Sequence, residues 1–371
     1  MPLPSRNQIL RWIMTPLSWI YGGVVAVRNW MFDNNILPQT EYDVPVVCVG
    51  NITVGGTGKT PHVEYIVSML ASDYKIAVLS RGYKRKTRGF LLVNANSTPD
   101  SVGDEPLQIF HKYGMRAKVA VCENRRKGIT ELLREFPEID LIILDDAFQH
   151  RYVKPKVSIL LIDYNRPIYE DHLLPLGRLR ENWKQAERAD MVVATKCPDG
   201  MNPLDYRLIT KGLNPKQTTQ SLNPWPYQSL HFSTFTYGGL LPVYPDDNPY
   251  NVYLGNLTEK DSVLLLTGIA NPRSFVRYFK NYPFRVVVDH YSDHHDFTRK
   301  DVMDIRKKFE KLSGERKIII TTEKDAVRLV YNPYVPQELK PLMFYLPIAV
   351  KMIPRPDGLD FISDLRKRIS E

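Results

Sequence analysis

Residues 44–61, VPVVCVGNITVGGTGKTP, constrain this chain more than any other stretch. The β-branched run Val44, Val46, Val47 and Val49 gives way to a glycine-rich turn, and a helix-forming segment follows through His62–Leu70. A strand, a bare turn and a helix in that order gather backbone N–H groups at a helix N-terminus, where an anion is favoured. Thr53, Val54, Gly55, Gly56, Thr57, Gly58, Lys59 and Thr60 are therefore expected to cradle nucleotide phosphates. Lys59 would reach the β and γ phosphates, and the Thr60 hydroxyl would face Mg²⁺. The strict spacing is G-x-x-x-x-G-K-[ST], and Thr53 stands where its first glycine would be. The competing reading is a β-to-α turn with an incidental lysine; the flanking strand and helix argue against it.

Around this loop, apolar runs alternate with helical segments. Strands are expected at 75–79, 118–122, 140–144, 157–163 and 191–195, with a weaker one at 90–93. Such alternation implies an α/β, P-loop NTPase-like fold: a mostly parallel sheet with helices on both faces and ligands at the strands' carboxyl ends. Between Pro198 and Pro226 proline density rises and the pattern fades, which marks a boundary. Beyond it, Leu230–Leu241 and Met343–Met352 read as a two-stranded linker. They flank a smaller α/β unit with strands at 262–267, 285–289 and 317–322 and helices near 272–280, 299–312 and 325–330. The expected division is an amino-terminal helix at 1–33, a P-loop core at 34–227, linker strands and smaller unit at 228–352, and a carboxyl-terminal helix at 353–371.

No charged residue occurs from Trp12 to Val27, and Arg11 and Arg28 bracket that run. Its 16 residues fall short of the roughly 20 that span a bilayer, and Pro16 and Gly22-Gly23 are expected to interrupt it. Trp12, Trp19, Tyr21 and Trp30 suit a membrane interface. A helix lying in the membrane surface is the favoured reading over one packed on the protein's own core. The formal charge of +9 suits an anionic partner without choosing among nucleotide, acidic membrane, nucleic acid and phosphorylated substrate. The basic stretch Lys84, Arg85, Lys86 and Arg88 reads as a solvated loop or as a surface for anionic headgroups. Cys48, Cys122 and Cys197 are odd in number and far apart, as reduced core thiols would be.

Asp145 and Asp146 follow the apolar run DLIIL, where a P-loop protein keeps the carboxylate that serves Mg²⁺; strand-end turn formation is the alternative. Asp104 and Glu105 begin a helix, where they either favour the dipole or supply a general base. Ser292-Asp293-His294-His295-Asp296 is dense in titratable groups without a further His or Cys cluster to suggest zinc; a solvated loop or a carboxylate-oriented histidine remains open there. Thr195-Lys196 mimics a guanine-reading element, but Pro198 occupies the position of its aspartate, against a regulatory GTPase. Two other function classes stay in view: a membrane-associated NTPase without a phosphate acceptor, and a nucleic-acid-binding ATPase. The scatter of the basic residues speaks against the latter.

The segments GNITVGGTGKTP (50–61), SRGY (80–83), GDEP (103–106), DDAFQHR (145–151), GRLRE (177–181), TGIANP (267–272), SDHHDF (292–297) and TTEKDAVRL (321–329) keep their order along nearly the whole chain. In these the sequence resembles the tetraacyldisaccharide 4'-kinase (lipid A 4'-kinase) family of Gram-negative bacteria. Ala147 departs from the glycine usual after the paired aspartates. The resemblance implies ATP- and Mg²⁺-dependent phosphorylation of the 4'-hydroxyl of an acylated glucosamine disaccharide 1-phosphate. It further implies a place on the cytoplasmic face of the inner membrane, peripheral or monotopic, with no nucleic acid and no obligate protein partner. By matched motif, Asp104 would be the base and His294 its partner, with Asp145, Asp146, Thr60 and Glu105 at Mg²⁺. Gln149 and Arg180 would be polar groups of the site, and Arg81 and Arg125 would meet substrate or nucleotide phosphate.

Overall fold

The computed structural model describes residues 6–217, 221–248 and 252–371, with side chains from residue 12 onward. Residues 1–5 of the expected amino-terminal region, and the Arg11 side chain, lie outside that description.

The chain opens with helix α1 (Arg6–Asp33), then strand β1 (Val46–Gly50), the glycine-rich turn and α2 (Lys59–Leu70). Next come β2 (Ile76–Ser80), β3 (Leu91–Leu92), the single turn α3 (Pro99–Val102), α4 (Asp104–Tyr113), β4 (Ala117–Val121) and α5 (Arg125–Glu135). Strands β5 (Leu141–Asp145), β6 (Val157–Asp163) and β7 (Met191–Thr195), helix α6 (Pro203–Leu213) and β8 (Ser229–Tyr237) complete the first pass. These strands, with the late strand β14 (Ile348–Ile353), form one sheet in the order β14-β8-β7-β6-β1-β5-β2-β4-β3. All neighbours are parallel except the two edge pairs, β14 with β8 and β3 with β4.

Both faces of the sheet are covered, which is why its strands are apolar throughout. In β1, Val47 and Val49 point to the face packed by Val63, Ile66, Val67 and Leu70 of α2 and by α4. Val46 and Cys48 point to the opposite face, against Ile129 and Leu132 of α5. Each of these fully buried aliphatic side chains contributes roughly 1.5–3 kcal/mol. The three cysteines are free and buried in these layers.

The segment expected as a boundary is partly helical. Tyr206, Ile209 and Leu213 of α6 pack on Leu160, Ile162 and Val192 of the sheet. Pro203 serves that helix rather than breaking it, because it occupies the first turn behind the Asn202 cap.

A smaller sheet follows, built from β9 (Leu241–Pro242), β10 (Ser262–Thr267), β11 (Arg285–His290), β12 (Lys317–Thr322) and β13 (Met343–Leu346), in the order β11-β10-β12-β13-β9. Helices α7 (Arg273–Tyr278), α8 (Arg299–Glu310) and α9 (Glu323–Val330) cover its two faces. The chain crosses between the sheets twice, side by side. β8 pairs antiparallel with β14 from Phe232↔Ile353 to Tyr237↔Ile348, and the Gly238 N–H donates to the Pro347 carbonyl at 2.9 Å. Helix α10 (Phe361–Ser370) returns to the larger sheet through Phe361, Ile362 and Leu365.

Helix α1 differs from expectation: it runs unbroken for 28 residues through Pro16 and Gly22-Gly23. Tertiary anchors override the local penalties. Ser18 Oγ donates to the Leu173 carbonyl, Tyr21 OH to the Arg180 carbonyl, and Asn29 Nδ2 to Glu181. A side chain at Gly22 would meet Leu173 at 2.7 Å, so the glycine permits close packing there. The opposite face leaves Trp12, Ile13, Trp19, Ile20, Val24, Val27 and Trp30 exposed. No helix among the described residues is long and apolar enough to cross a membrane.

Candidate active site

The phosphate loop sits at the carboxyl end of β1, in the middle of the sheet. Asn51 Nδ2 donates to Thr57 Oγ1 at 2.8 Å, and Thr195 Oγ1 donates to the Thr57 carbonyl at 2.9 Å. Lys196 Nζ holds the Gly56 carbonyl and, at 2.6 Å, Asp163. The Thr195-Lys196 pair thus braces the loop. Thr53 is buried and bridges to Leu179, while the Val54 N–H donates to the Arg178 carbonyl. Its backbone is not left-handed, so nothing at that position requires glycine. Gly58 does require it: φ is +87°, and a side chain there would strike the Phe235 ring at 2.3 Å. No side chain caps α2, so its first N–H groups and its dipole face the loop.

The paired aspartates diverge. Asp145 is fully buried at the end of β5; Ser80 Oγ donates to its Oδ2 at 3.2 Å, and its Oδ1 has no partner among the described residues. Burial, with Glu105 and Asp146 nearby, pushes its carboxyl up to about 7. Asp146, in a left-handed turn at φ +48°, is 3.6 Å from Lys59 Nζ and 3.1 Å from Arg180 Nη1. Burial works to raise its pKa, but Lys59 and Arg180 outweigh it and hold the carboxyl below the usual range. Ala147 is buried and has no left-handed backbone, so alanine fits in place of glycine. Gln149 Nε2 donates to the Asn51 carbonyl and to Glu181, both at 2.8 Å, which ties the DDAFQHR and GRLRE segments to the loop.

Two arginines differ in position. Arg81 is exposed at the end of β2. Arg125 is 2% exposed and gives its guanidinium to the Cys122 and Asp145 carbonyls at 2.6 and 3.1 Å. It braces the strand ends from beneath, so the expected phosphate contact at Arg125 is corrected to a supporting one. Within the basic stretch, Arg85 is likewise not solvated: its buried guanidinium pairs with Glu123 at 2.7 Å.

The remaining motifs converge from the smaller sheet onto the start of α4. Gly103 precedes α4 at φ +90°, and a side chain there would press on the Tyr83 carbonyl at 3.0 Å; this contact joins GDEP to SRGY. Asp104 Oδ2 accepts from His294 Nδ1 at 2.8 Å and from Arg328 Nη2. Burial alone would raise the Asp104 pKa, but those hydrogen bonds and the Arg328 charge hold it well below the usual carboxylate range. His294 lies in a left-handed turn at φ +54°, its N–H donating to the Gly268 carbonyl at 3.2 Å, and its ring meets Tyr83 edge-on at 5.0 Å. Asp325 accepts from the Gly268 N–H at 2.8 Å. His295 turns the other way, bonding Asp301 at 3.0 Å within its own unit. Lys324 Nζ reaches Glu105 at 3.1 Å and His294 Nε2 at 2.8 Å.

Lys324 and Arg328 escaped sequence reasoning. Their spacing of four puts both on one face of α9, a signal that becomes readable only once the helix is known to face Asp104.

The donor set fits Mg²⁺ carried in with a nucleotide. Among the described residues no three His, Cys, Asp or Glu side chains group as a self-sufficient metal site. Mg²⁺ instead binds through one or two carboxylates plus phosphates. The unpartnered, buried Asp145 Oδ1 and the Thr60 hydroxyl at the loop's end supply that pattern. Glu105 and Asp146 spend their carboxylates on Lys324, Lys59 and Arg180.

Comparison with known proteins extends along almost the entire chain. A family profile described as tetraacyldisaccharide-1-P 4'-kinase matches residues 10–369. The chain is 47% identical over 353 residues to a tetraacyldisaccharide 4'-kinase of Bacteroides thetaiotaomicron, covering 93% of this chain and 90% of that protein. It is 40% identical to the one of Flavobacterium psychrophilum, covering 91% and 92%. Among solved structures, the "apo" form LpxK from Aquifex aeolicus in complex with ATP superposes with a TM-score of 0.71 at 28% identity, covering 97% of this chain and 98% of that one.

Proposed function

The chain belongs to the tetraacyldisaccharide-1-P 4'-kinase family and is a phosphotransferase; on that premise we propose that it moves the γ-phosphate of ATP to the 4'-hydroxyl of a tetraacylated glucosamine disaccharide 1-phosphate, in lipid A biosynthesis. The observation that carries this reading is the Asp104–His294 pair, 2.8 Å apart, in which the start of α4 meets the turn after β11, with the adjacent Glu105 near enough to raise the Asp145 carboxyl. A switch NTPase has no need of a second, oriented carboxylate there.

The division of labour follows from position. The loop's N–H groups and Lys59 hold the β and γ phosphates, while Asp146, itself held by Arg180, fixes Lys59 from the side. Mg²⁺, when bound by Thr60 and Asp145, would neutralise phosphate charge. Asp104 takes the proton of the attacking hydroxyl, and His294 orients the carboxylate through Nδ1. The transition state of phosphoryl transfer is loose and asks little basicity of its proton acceptor, so an ionised, well-placed carboxylate suffices. The larger sheet, which includes β8 and β14, and the smaller sheet with its helices act as two lobes whose closure excludes water.

The acceptor is met at the membrane. The exposed tryptophans and aliphatics of α1 form an apolar face suited to the cytoplasmic surface of the inner membrane. Burial and then the charges of Arg125, Arg28, Arg126 and Arg81 lower His150, next to the DDAFQ segment, to about 4. That positive rim suits an anionic lipid head.

The test is transfer from γ-labelled ATP to a detergent-dispersed acylated disaccharide 1-phosphate, with and without Mg²⁺. Label on the lipid, dependent on Mg²⁺ and lost in Lys59→Ala, supports the proposal. Label released only as phosphate at a rate indifferent to lipid refutes it in favour of an NTPase.

A further inference from the structure

Helices α4 and α9 meet across the two sheets, antiparallel, through three charge pairs. Asp104 pairs with Arg328, Glu105 with Lys324, and Lys112 with Glu323. Two of these cations also bracket one imidazole. Lys324 Nζ lies 2.8 Å from His294 Nε2, and Arg328 Nη2 lies 2.9 Å from His294 Nδ1.

A neutral imidazole carries one N–H, and an ammonium group can only donate. If His294 Nε2 accepts from Lys324, its proton must reside on Nδ1. That atom faces Asp104 Oδ2 at 2.8 Å, an acceptor. Arg328 spends its Nη2 N–H on the same carboxylate, so its approach to Nδ1 does not demand the opposite tautomer. The other group near Nε2 is the Asp293 carboxylate, 3.9 Å away and beyond hydrogen-bond reach. Lys324 and the Asp104 carboxylate thus select the same tautomer from opposite sides of the ring. The carboxylate of Glu105 fixes Lys324 in turn, through the residue next to Asp104.

We propose that Lys324 is a positioning residue of the phosphoryl transfer: by donating to His294 Nε2 it holds the imidazole as the Nδ1–H tautomer that bonds and aims Asp104. The proposal rests on the reading of Asp104 and His294 as the proton-accepting pair. It adds that a cation carried on α9 links the pair's geometry to the approach of the two sheets, since Lys324 bonds both His294 and Glu105 of α4. Lys324 touches no reacting atom and acts through His294 alone.

The test combines kinetics with ¹⁵N NMR of the labelled full chain, the His294 signal being the one lost in His294→Asn. Wild type is expected to show Nδ1 protonated and Nε2 accepting. In Lys324→Met the tautomer pattern shifts toward Nε2–H and kcat falls about 10–100-fold, the range for loss of a group that orients another. The KM for ATP moves less than about threefold, because uniform binding is untouched. Lys324→Arg, which keeps a donor, restores most of both readouts. The double variant His294→Asn, Lys324→Met is no slower than His294→Asn, since the second loss acts through a group already gone. An unchanged tautomer in Lys324→Met, or losses that multiply in the double variant, would overturn the proposal. A slow His294→Asn beside a Lys324→Met of normal kcat would overturn it while leaving the Asp104–His294 reading intact. A His294→Asn of normal kcat would overturn both.

Discussion

At the scale of single residues, the site divides into groups whose charge is already matched and groups left exposed to a ligand. Lys59 sits 3.6 Å from Asp146, which aims it, and Asp146 is shared with Arg180. Lys59→Ala is expected to abolish measurable turnover while the chain stays folded, checked by transfer assay beside circular dichroism. Asp104→Asn preserves shape but removes the carboxylate proposed as proton acceptor, and kcat should drop by about 10²–10⁴. A kcat within about threefold of wild type would take Asp104 out of that role. Gly58→Ala is a backbone test. The left-handed φ and the Phe235 ring leave no room, so nucleotide affinity should fall together with thermal stability. Of the two histidines, His294 bonds Asp104 and His295 bonds Asp301 within its own unit. The place of Arg125 is not legible in sequence: an arginine beside an active loop reads as a ligand group, and only the structure shows that it is buried with Nη1 and Nη2 on two carbonyls.

Among elements, the contact of α4 with α9 holds a buried charge cluster. Glu64 of α2 and Glu323 of α9 share Lys112, each at 2.7 Å. Gln108 Nε2 also donates to Glu64, and the Tyr113 and Tyr345 hydroxyls border the cluster. Burial, then the charge of Glu323, pushes the Glu64 carboxyl from 4.5 up to about 7 against the pull of Lys112. Folding therefore favours the protonated form. The stabilisation is complete below the unfolded carboxyl range and is lost as pH climbs through about 7. Glu64→Gln keeps the hydrogen bonds without the titration. Its melting temperature relative to wild type should rise between pH 5.5 and 8, the difference approaching about 3 kcal/mol at most. A flat difference across that interval would show that Glu64 ionises like an exposed carboxyl.

The elements themselves were largely legible, since strands buried on both faces print continuous apolar runs: 157–163, 191–195, 262–267 and 317–322 were read to the residue. The long α1 was not, because proline and paired glycine are local signals. Its continuity depends on distant partners at Leu173, Arg180 and Glu181. The charge pairs between α4 and α9 join residues more than 200 positions apart, and no local pattern encodes them.

For the whole molecule, α1 packs on the protein by one face and exposes apolar side chains on the other, and this changes how the proposed membrane attachment should be tested. Deleting residues 1–28 would also remove Tyr21 and Arg28, which bind the Arg180 and Gln149 carbonyls. Replacing Trp12, Trp19 and Trp30 by Gln leaves those contacts in place. That variant should lose recovery in the membrane fraction while kcat on detergent-dispersed substrate stays within about twofold, as expected for an apolar face that acts only by partitioning. Unchanged recovery would assign the exposed face another role.

The paired crossing between the sheets makes residues 239–346 a parenthesis in the chain. Tyr237 and Ile348 stand opposite each other, and Gly238 is already hydrogen-bonded to Pro347. Everything between them leaves and re-enters through one doorway, so the sentence still parses without it. Joined by a tight turn across that gap, the flanking strands would form an ordinary hairpin, with Phe235 still over Gly58 and α10 still in its seat. Such a shortened chain should fold and bind nucleotide yet transfer no phosphate to lipid, since His294, Lys324 and Arg328 all depart with the clause. The acceptor chemistry thus hangs on the larger sheet by one turn of the chain, and its other ties are the charge pairs of Asp104, Glu105 and Lys112 with α9.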